Sequence, residues 1–166
     1  EALDEAVRLY PNFSTAWNSK GFTLIFQGKY DEAIEALDEA VRLDPNFSVA
    51  WNNKGFALIS QGKYDEAIEA LDEAIRLDPN NTLAWENKGW TLFCLHKYDG
   101  AIEAYDEAIK LDSDDPDVWN NKGLALEFQG KNDEAIEAYD MAIKLDPTYS
   151  QASYNKATLS MTRAIL

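Results

Sequence analysis

The chain has 166 residues, which is enough for one domain with a packed core but too few for two large domains with separate tasks. Its hydrophobic fraction of 46% predicts a folded chain, because that many apolar side chains can offset the entropy lost on folding. The 30 acidic and 15 basic residues give a net charge of −15, which argues against nucleic acid and anionic membranes as partners.

The sequence contains no run of the roughly 18 consecutive apolar residues that a membrane span needs. The single cysteine, Cys94, cannot form an internal disulfide, and no charged-then-apolar leader precedes the first predicted helix. We therefore expect a soluble protein in a reducing, cytoplasmic setting. Because Glu1 lies in the middle of a helical pattern, we also expect the chain to be part of a longer protein.

A repeat of 34 residues organises the whole chain. Residues 1–13 match the second half of this repeat and form a truncated unit. Four full units follow, at residues 14–47, 48–81, 82–115 and 116–149. Residues 150–166 match a first half only and are predicted to form a terminal first helix or cap. The full units share a tryptophan, at Trp17, Trp51, Trp85 and Trp119.

Each full unit predicts two helices. In the first unit, Trp17, Gly21 and Leu24 recur at helical spacing and predict a first helix over residues 14–27. Residues 30–43 alternate between an apolar and an acidic face at the same spacing and predict a second helix.

The break between the two helices carries its own signal. Gly28 is suited to end the first helix, because glycine adopts the left-handed conformation without steric cost. Gly62 and Gly130 hold the same position in two other units, whereas the third unit has His96 there. An Asp-Pro pair ends the second helix, since proline disfavours helical backbone in the residue before it.

This pattern of tryptophan, glycine, alanines and proline at fixed offsets resembles the tetratricopeptide repeat, and the resemblance covers essentially the whole chain. It implies an all-α, right-handed superhelical solenoid of stacked antiparallel helix pairs, in which the first helices line the concave surface. One departure is systematic, because lysine stands where the family usually has leucine before the glycine. We expect its stem to cover apolar surface while its ammonium group stays in water. These lysines are Lys20, Lys54, Lys88 and Lys122.

The candidate binding residues lie on the side of each first helix that faces away from the tryptophan stripe. The amides of this set are Asn18, Asn52, Asn53, Asn87, Asn120, Asn121 and Asn155. The large apolar residues of this set are Phe22, Phe56, Trp90 and Leu124. We expect the amides to set the register of an extended peptide and the apolar row to supply most of the affinity.

Two readings of the asparagines stay open. One residue per repeat resembles the asparagine ladder that lines the repeat domain of O-linked N-acetylglucosamine transferases, with Ser19 interrupting it in the first unit; these residues are Asn53, Asn87, Asn121 and Asn155. Alternatively, they only satisfy backbone groups of a neighbouring helix. The carboxylate clamp of chaperone-binding family members is not matched, because Asn18 and Phe22 stand where that clamp has lysine and asparagine. We therefore expect no partner that ends in Glu-Glu-Val-Asp.

Catalytic and metal chemistry are not predicted. His96 and Cys94 are the only residues of their types, and their spacing of two on a helix points them in different directions. The carboxylates recur with the repeat on a solvent face, where nothing would raise the pKa of one of them for acid catalysis. We expect no enzyme activity, no cofactor and no metal.

The sequence favours a non-catalytic protein–protein interaction module whose concave groove binds an extended or helical peptide segment. The second helices carry most of the acid, so the expected peptide is neutral to mildly basic and partly apolar. One alternative is a self-assembling scaffold that stacks head to tail through residues 1–13 and 150–166, although the last helix could equally be a solvating cap. Another is a regulatory or targeting segment of a larger enzyme.

Overall fold

The computed structural model describes residues 2–165, and these residues form ten α-helices and no strand. The helices are α1 (Ala2–Leu9), α2 (Ser14–Phe26), α3 (Tyr30–Leu43), α4 (Ser48–Ser60), α5 (Tyr64–Leu77), α6 (Thr82–Cys94), α7 (Tyr98–Leu111), α8 (Pro116–Phe128), α9 (Asn132–Leu145) and α10 (Ser150–Ile165). The predicted second helix over residues 30–43 is confirmed, and the predicted first helix ends one residue early, at Phe26.

The helices form two compact units. Unit 1 extends to Asn87 and contains α1–α5 and the start of α6; unit 2 begins at Lys88 and contains the rest of α6 and α7–α10. In unit 1, a buried core cluster lies between α2, α3 and α4 and includes Leu24 and Leu37. In unit 2, a corresponding cluster includes Leu126 and Tyr139.

The predicted left-handed residues between the paired helices are confirmed. Gly28 has φ +71°, and its N–H donates to the carbonyl of Ile25, which ends α2. His96 has φ +58° at the matching position of the third repeat. A non-glycine residue is strained in this region of backbone conformation, so His96 carries a strain that the glycines at the matching positions avoid.

The glycine in the middle of each first helix allows the paired helices to approach closely. A Cβ atom at Gly21 would lie 2.5 Å from Leu37 Cγ, and one at Gly123 would lie 2.5 Å from Tyr139 Cε1. Such distances are well inside van der Waals contact, so any side chain there would push α3 or α9 away. The glycine is therefore required by packing rather than by backbone conformation.

Each tryptophan ties its helix to the preceding turn. Trp17 Nε1 donates to the carbonyl oxygen of Pro11 at 2.9 Å, and Trp119 Nε1 donates to that of Ser113 at 2.9 Å. The bond uses the backbone carbonyl, which any residue supplies. This explains why the third repeat can carry serine where other repeats carry proline.

Two of the lysines that replace the family leucine form an ion pair that the expectation did not include. Lys54 Nζ lies 2.6 Å from Asp38 Oδ1 of α3 and 5.3 Å from the centroid of the Trp51 ring. In unit 2, Lys122 Nζ lies 2.6 Å from Asp106 Oδ1 of α7. The acidic second helix of the preceding repeat supplies a carboxylate within reach, so the ammonium group pairs with it.

Candidate functional site

The candidate site of unit 1 lies on one face of α4 and its neighbouring first helices. Val49, Asn52, Asn53 and Phe56 are separated by three, one and three residues, so they share a face of α4. Gly55 lies on another face, against Leu71 of α5. The sequence thus separates a surface that packs on the second helix from a surface that remains accessible.

The apolar residues of the predicted row differ in exposure. Phe22, Phe56 and Trp90 have exposed fractions of 46%, 40% and 40%, which is high for large apolar side chains. Leu124 is half-buried. The row therefore offers apolar surface to a ligand at three of its four positions.

An open groove of about 510 Å³ lies in unit 1 on this face. Its apolar surface comes from Phe22 of α2, Val49 of α4 and Leu83 of α6, all of which are exposed. The polar residues that line it are Asn18, Ser19, Thr23, Asn52, Asn53 and Asn81. We call this feature the unit 1 groove. Its composition, with apolar side chains set among uncharged polar groups, is typical of sites that bind peptides or small molecules.

The asparagines bind each other across neighbouring first helices. Asn53 Nδ2 donates to Asn18 Oδ1 at 2.9 Å, and Asn87 Nδ2 donates to Asn52 Oδ1 at 3.0 Å. In unit 2, Asn155 Nδ2 donates to Asn120 Oδ1 at 2.9 Å. In each of these pairs the later repeat donates and the earlier repeat accepts.

The burial of these amides differs from the expectation of a row free for a ligand. Asn18, Asn52, Asn53, Asn120 and Asn155 are buried, and Asn120 is only 2% exposed. A buried amide must find a hydrogen-bond partner, and the nearest one is the amide 35 residues away on the adjacent first helix. The partners are side-chain amides rather than the backbone groups of the alternative reading. Contact between the amides and a ligand remains a prediction.

Asn87 and Asn121 are half-buried rather than buried. Asn87 is the donor of one interhelical pair, and Asn121 Oδ1 accepts a long hydrogen bond of 3.5 Å from its neighbour Asn120.

Unit 2 carries an aromatic cluster next to Trp90. The rings of Trp90 and Phe93 stack with centroids 5.6 Å apart, and the ring edge of Phe128 meets Phe93 at 5.3 Å. Tyr98 lies 5.7 Å from Phe93 and accepts or donates a hydrogen bond of 2.8 Å with His96 Nδ1. This cluster adds apolar surface that the predicted row alone did not contain.

Glu127 stands at the helix position that Phe93 holds one repeat earlier, and it has a structural partner. Tyr139 is fully buried, and its hydroxyl donates to Glu127 Oε2 at 2.7 Å. Burial, and then the neighbouring carboxylate, raise the pKa of Tyr139 far above its ordinary range. Glu127 is therefore engaged in holding α8 to α9.

Several site residues were missing from the sequence-based set. Val49 and Leu83 occupy the second position of their helices, and Phe128 occupies the last. Large apolar residues at exposed helix positions were the available signal, because such side chains are normally buried. The repeat pattern hid that signal, since these positions change from one repeat to the next.

The two terminal helices differ in surface character. Leu9 at the end of α1, together with Tyr10 and Phe13 after it, is exposed and lines a cavity of about 570 Å³. On α10, exposed Ser153, Ala157 and Ser160 take the positions that hold tryptophan, glycine and leucine in α2. These replacements give α10 the composition of a solvated face.

Chemistry-bearing clusters are scarce in the part of the chain that the structure describes. Residues 2–165 contain no group of three His, Cys, Asp or Glu residues arranged to hold a metal ion. Over the same residues, no helix has the length and apolar character needed to cross a membrane.

Similar structures share this architecture. MamA from Desulfovibrio magneticus is 22% identical to this chain. The match covers 91% of this chain and 85% of the MamA chain, with a TM-score of 0.84. YrrB, described as a TPR protein with an unusual peptide-binding site, is 21% identical to this chain. The match covers 99% of this chain and 84% of the YrrB chain, with a TM-score of 0.82. At such identities the likeness concerns the fold alone.

A third structure holds a ligand. It is the first TPR of Spaghetti (RPAP3), bound to the HSP90 peptide SRMEEVD, and it is 26% identical to this chain. The match covers 70% of this chain and 93% of the Spaghetti chain, with a TM-score of 0.69. A search of curated proteins found no significant match.

Family models for the tetratricopeptide repeat match residues 21–82 and 86–150, and a second such model matches residues 2–35. These segments cover most of the sequence, and the all-α tetratricopeptide fold expected from the repeat is confirmed. The chain belongs to the tetratricopeptide repeat family.

Proposed function

We propose that this protein is a non-catalytic protein–protein interaction module that binds a peptide segment of a partner, in extended or helical form, on its first helices. The observation that carries the proposal is the unit 1 groove, where Phe22, Val49 and Leu83 expose apolar surface beside uncharged polar groups. Contiguous apolar surface with a polar rim marks interaction sites on soluble proteins.

The apolar residues are expected to supply most of the affinity. Burying one large apolar side chain completely stabilises a complex by roughly 1.5–3 kcal/mol, whereas one hydrogen bond contributes about 1 kcal/mol. The pairs Asn53–Asn18 and Asn87–Asn52 engage one donor and one acceptor each, so they hold the groove walls and retain some capacity for a peptide backbone.

Unit 2 offers a second surface of the same character. Trp90, Leu124 and Phe128 contribute its apolar part, and Asn121 contributes an amide. The peptide-bound structure of Spaghetti supports a peptide as the type of ligand. Its acidic peptide is not the expected one, because this chain lacks the lysine of the carboxylate clamp at Asn18.

The proposed partner is neutral to mildly basic and partly apolar, since the second helices carry most of the negative charge. A cytoplasmic location, suggested by the single cysteine, remains a prediction. A regulatory or targeting role within a larger enzyme would use the same surfaces.

A peptide array of random sequences tests the proposal. We expect the wild-type protein to bind a subset of peptides, and Phe22→Ala and Trp90→Ala to lose them, because each change removes exposed apolar surface from one unit. Leu111→Ala is the matched control, since Leu111 is as exposed as Trp90 but lies at the end of a second helix. Equal binding by all variants, or no bound peptide, would contradict the proposal.

Head-to-tail assembly is the second candidate. The cavity beside Leu9, Tyr10 and Phe13 favours it, because this apolar surface could receive a first helix from another copy. Ala157 argues against α10 as that helix, since a Cβ atom at the matching Gly21 would lie 2.5 Å from Leu37 Cγ of its second helix, too close for any side chain. Light scattering that gives a monomer mass at every concentration would exclude assembly.

A further inference from the structure

Among the residues that the structure describes, all those that line the unit 1 groove are uncharged. This composition is unusual for a chain in which 27% of the residues are charged. A groove that keeps charges out of its lining presents only apolar surface and neutral hydrogen-bonding groups to whatever enters it.

The lysines of α2 and α4 do not line the groove. Helices α2 and α4 contain one cation each, Lys20 and Lys54. Lys20 Nζ lies 5.6 Å from the centroid of the Trp17 ring, and Lys54 Nζ lies over the Trp51 ring and pairs with Asp38. Both ammonium groups therefore lie on the tryptophan side of their helices.

An acidic residue of α6 follows Leu83 but does not line the groove. Glu86 occupies the helix position that Asn18 and Asn52 hold in α2 and α4, and it follows Leu83 by one helical turn. A carboxylate in the groove would lose water without gaining a cation, and it would meet the field of a chain with net charge −15. The same field would instead attract a basic group beside Leu83.

We infer that the unit 1 groove binds a segment of a partner polypeptide that does not end in a free C-terminus there, and that this segment inserts one bulky apolar side chain between Phe22, Val49 and Leu83. A basic residue next to this anchor is favoured, and an acidic residue or a terminal carboxylate there is excluded. The inference rests on the proposed function and specifies its ligand.

Two libraries of random peptides test the inference on the whole chain. One library displays peptides with a free C-terminus, and the other holds both ends of each peptide within a constant scaffold. We expect enrichment from the internal library, with a bulky apolar residue flanked by Lys or Arg and no Asp or Glu beside it. In synthetic copies of an enriched peptide, ending the chain directly after the anchor as a free acid should weaken binding about tenfold or more relative to the amide.

A cation placed in the groove should reverse this preference. Val49→Lys should bring the affinities of the acid and amide forms to within about twofold of each other, because the new ammonium group pairs with the carboxylate. Asn46→Lys is the matched control, since it adds the same charge at an exposed turn outside the groove. Circular dichroism checks that both variants are folded.

The outcomes separate the two claims. Enrichment confined to peptides with free C-termini, or equal responses of Val49→Lys and Asn46→Lys, overturns the inference while peptide binding stands. Enrichment from neither library overturns the inference and the proposed function together.

Discussion

Lys54 Nζ and Asp38 Oδ1 lie 2.6 Å apart and join the first helix of one repeat to the second helix of the preceding repeat. The same ammonium group lies over the Trp51 ring, and the distance from Nζ to the ring centroid is 5.3 Å. The contact recurs in unit 2 between Lys122 and Asp106. A residue that departs from the family leucine thus supplies a charged link between repeats.

This link should be measurable as a coupling energy. In a double-mutant cycle of Lys54→Met and Asp38→Asn, we expect a coupling of about 0.5–1 kcal/mol, because the pair is only partly exposed at the lysine. Urea unfolding at low and high salt measures it, and salt should reduce it by screening. The pair Arg76–Glu73, which lies within one helix, is the control and should couple more weakly. Additive effects at Lys54 and Asp38 would contradict the prediction.

The strained histidine offers a stabilising substitution. His96 has φ +58°, and Gly62 has φ +74° at the same position of the repeat. A Cβ atom added to Gly62 would contact no other atom, so only the backbone conformation disfavours a side chain there. His96→Gly should stabilise the fold by up to about 1 kcal/mol, since a left-handed non-glycine residue costs roughly 1–2 kcal/mol and the exposed bond to Tyr98 offsets part of the gain. Thermal and urea unfolding measure the change. The reciprocal Gly62→His should destabilise, and effects of equal sign would contradict the explanation.

The close approach of the paired helices predicts a steric penalty. A Cβ atom at Gly55 would lie 2.6 Å from Leu71 Cγ, so Gly55→Ala should destabilise by about 1–3 kcal/mol. In the double variant with Leu71→Ala, the two costs should be less than additive, because the smaller side chain makes room for the new methyl group. Full additivity in urea unfolding would show that this contact does not limit the approach of α4 and α5.

The buried tyrosine predicts sensitivity to alkali. The pKa of Tyr139 is raised by burial and by Glu127, so the folded state favours the neutral hydroxyl. Its stabilising contribution is fully present below the unfolded pKa of about 10 and is lost as pH rises from there toward the raised folded pKa. The free energy of unfolding should therefore fall above about pH 10, and less steeply in Tyr139→Phe. Identical slopes for the two proteins would contradict this assignment.

The repeat made the local structure predictable from sequence. Trp17, Gly21 and Gly28 specify a helix, its packing face and its end within one unit, and the structure agrees to within one residue. The contacts between repeats were less accessible. The partners Asn18 and Asn53 are 35 residues apart, and their spacing gives no sign that the two amides would bind each other rather than a ligand.

The unit 1 groove was only partly predictable for a related reason. Phe22 belongs to a position that is apolar throughout the full repeats, so the pattern reveals it. Val49 and Leu83 belong to a position that becomes Asp117 in the fourth full unit, so averaging over repeats hides them. A binding surface depends on the differences between repeats, whereas the fold depends on what they share.

The indole hydrogen bonds to the turn carbonyls make each tryptophan a local probe of opening. Trp17, Trp51, Trp85 and Trp119 each donate Nε1–H to a backbone oxygen six residues earlier. Each indole proton is thus protected from exchange with solvent deuterium only while its own turn is closed. Indole protons give nuclear magnetic resonance signals away from those of the backbone amides. The hydrogen-exchange rates of these four indole protons would therefore reveal the order in which the repeats unfold.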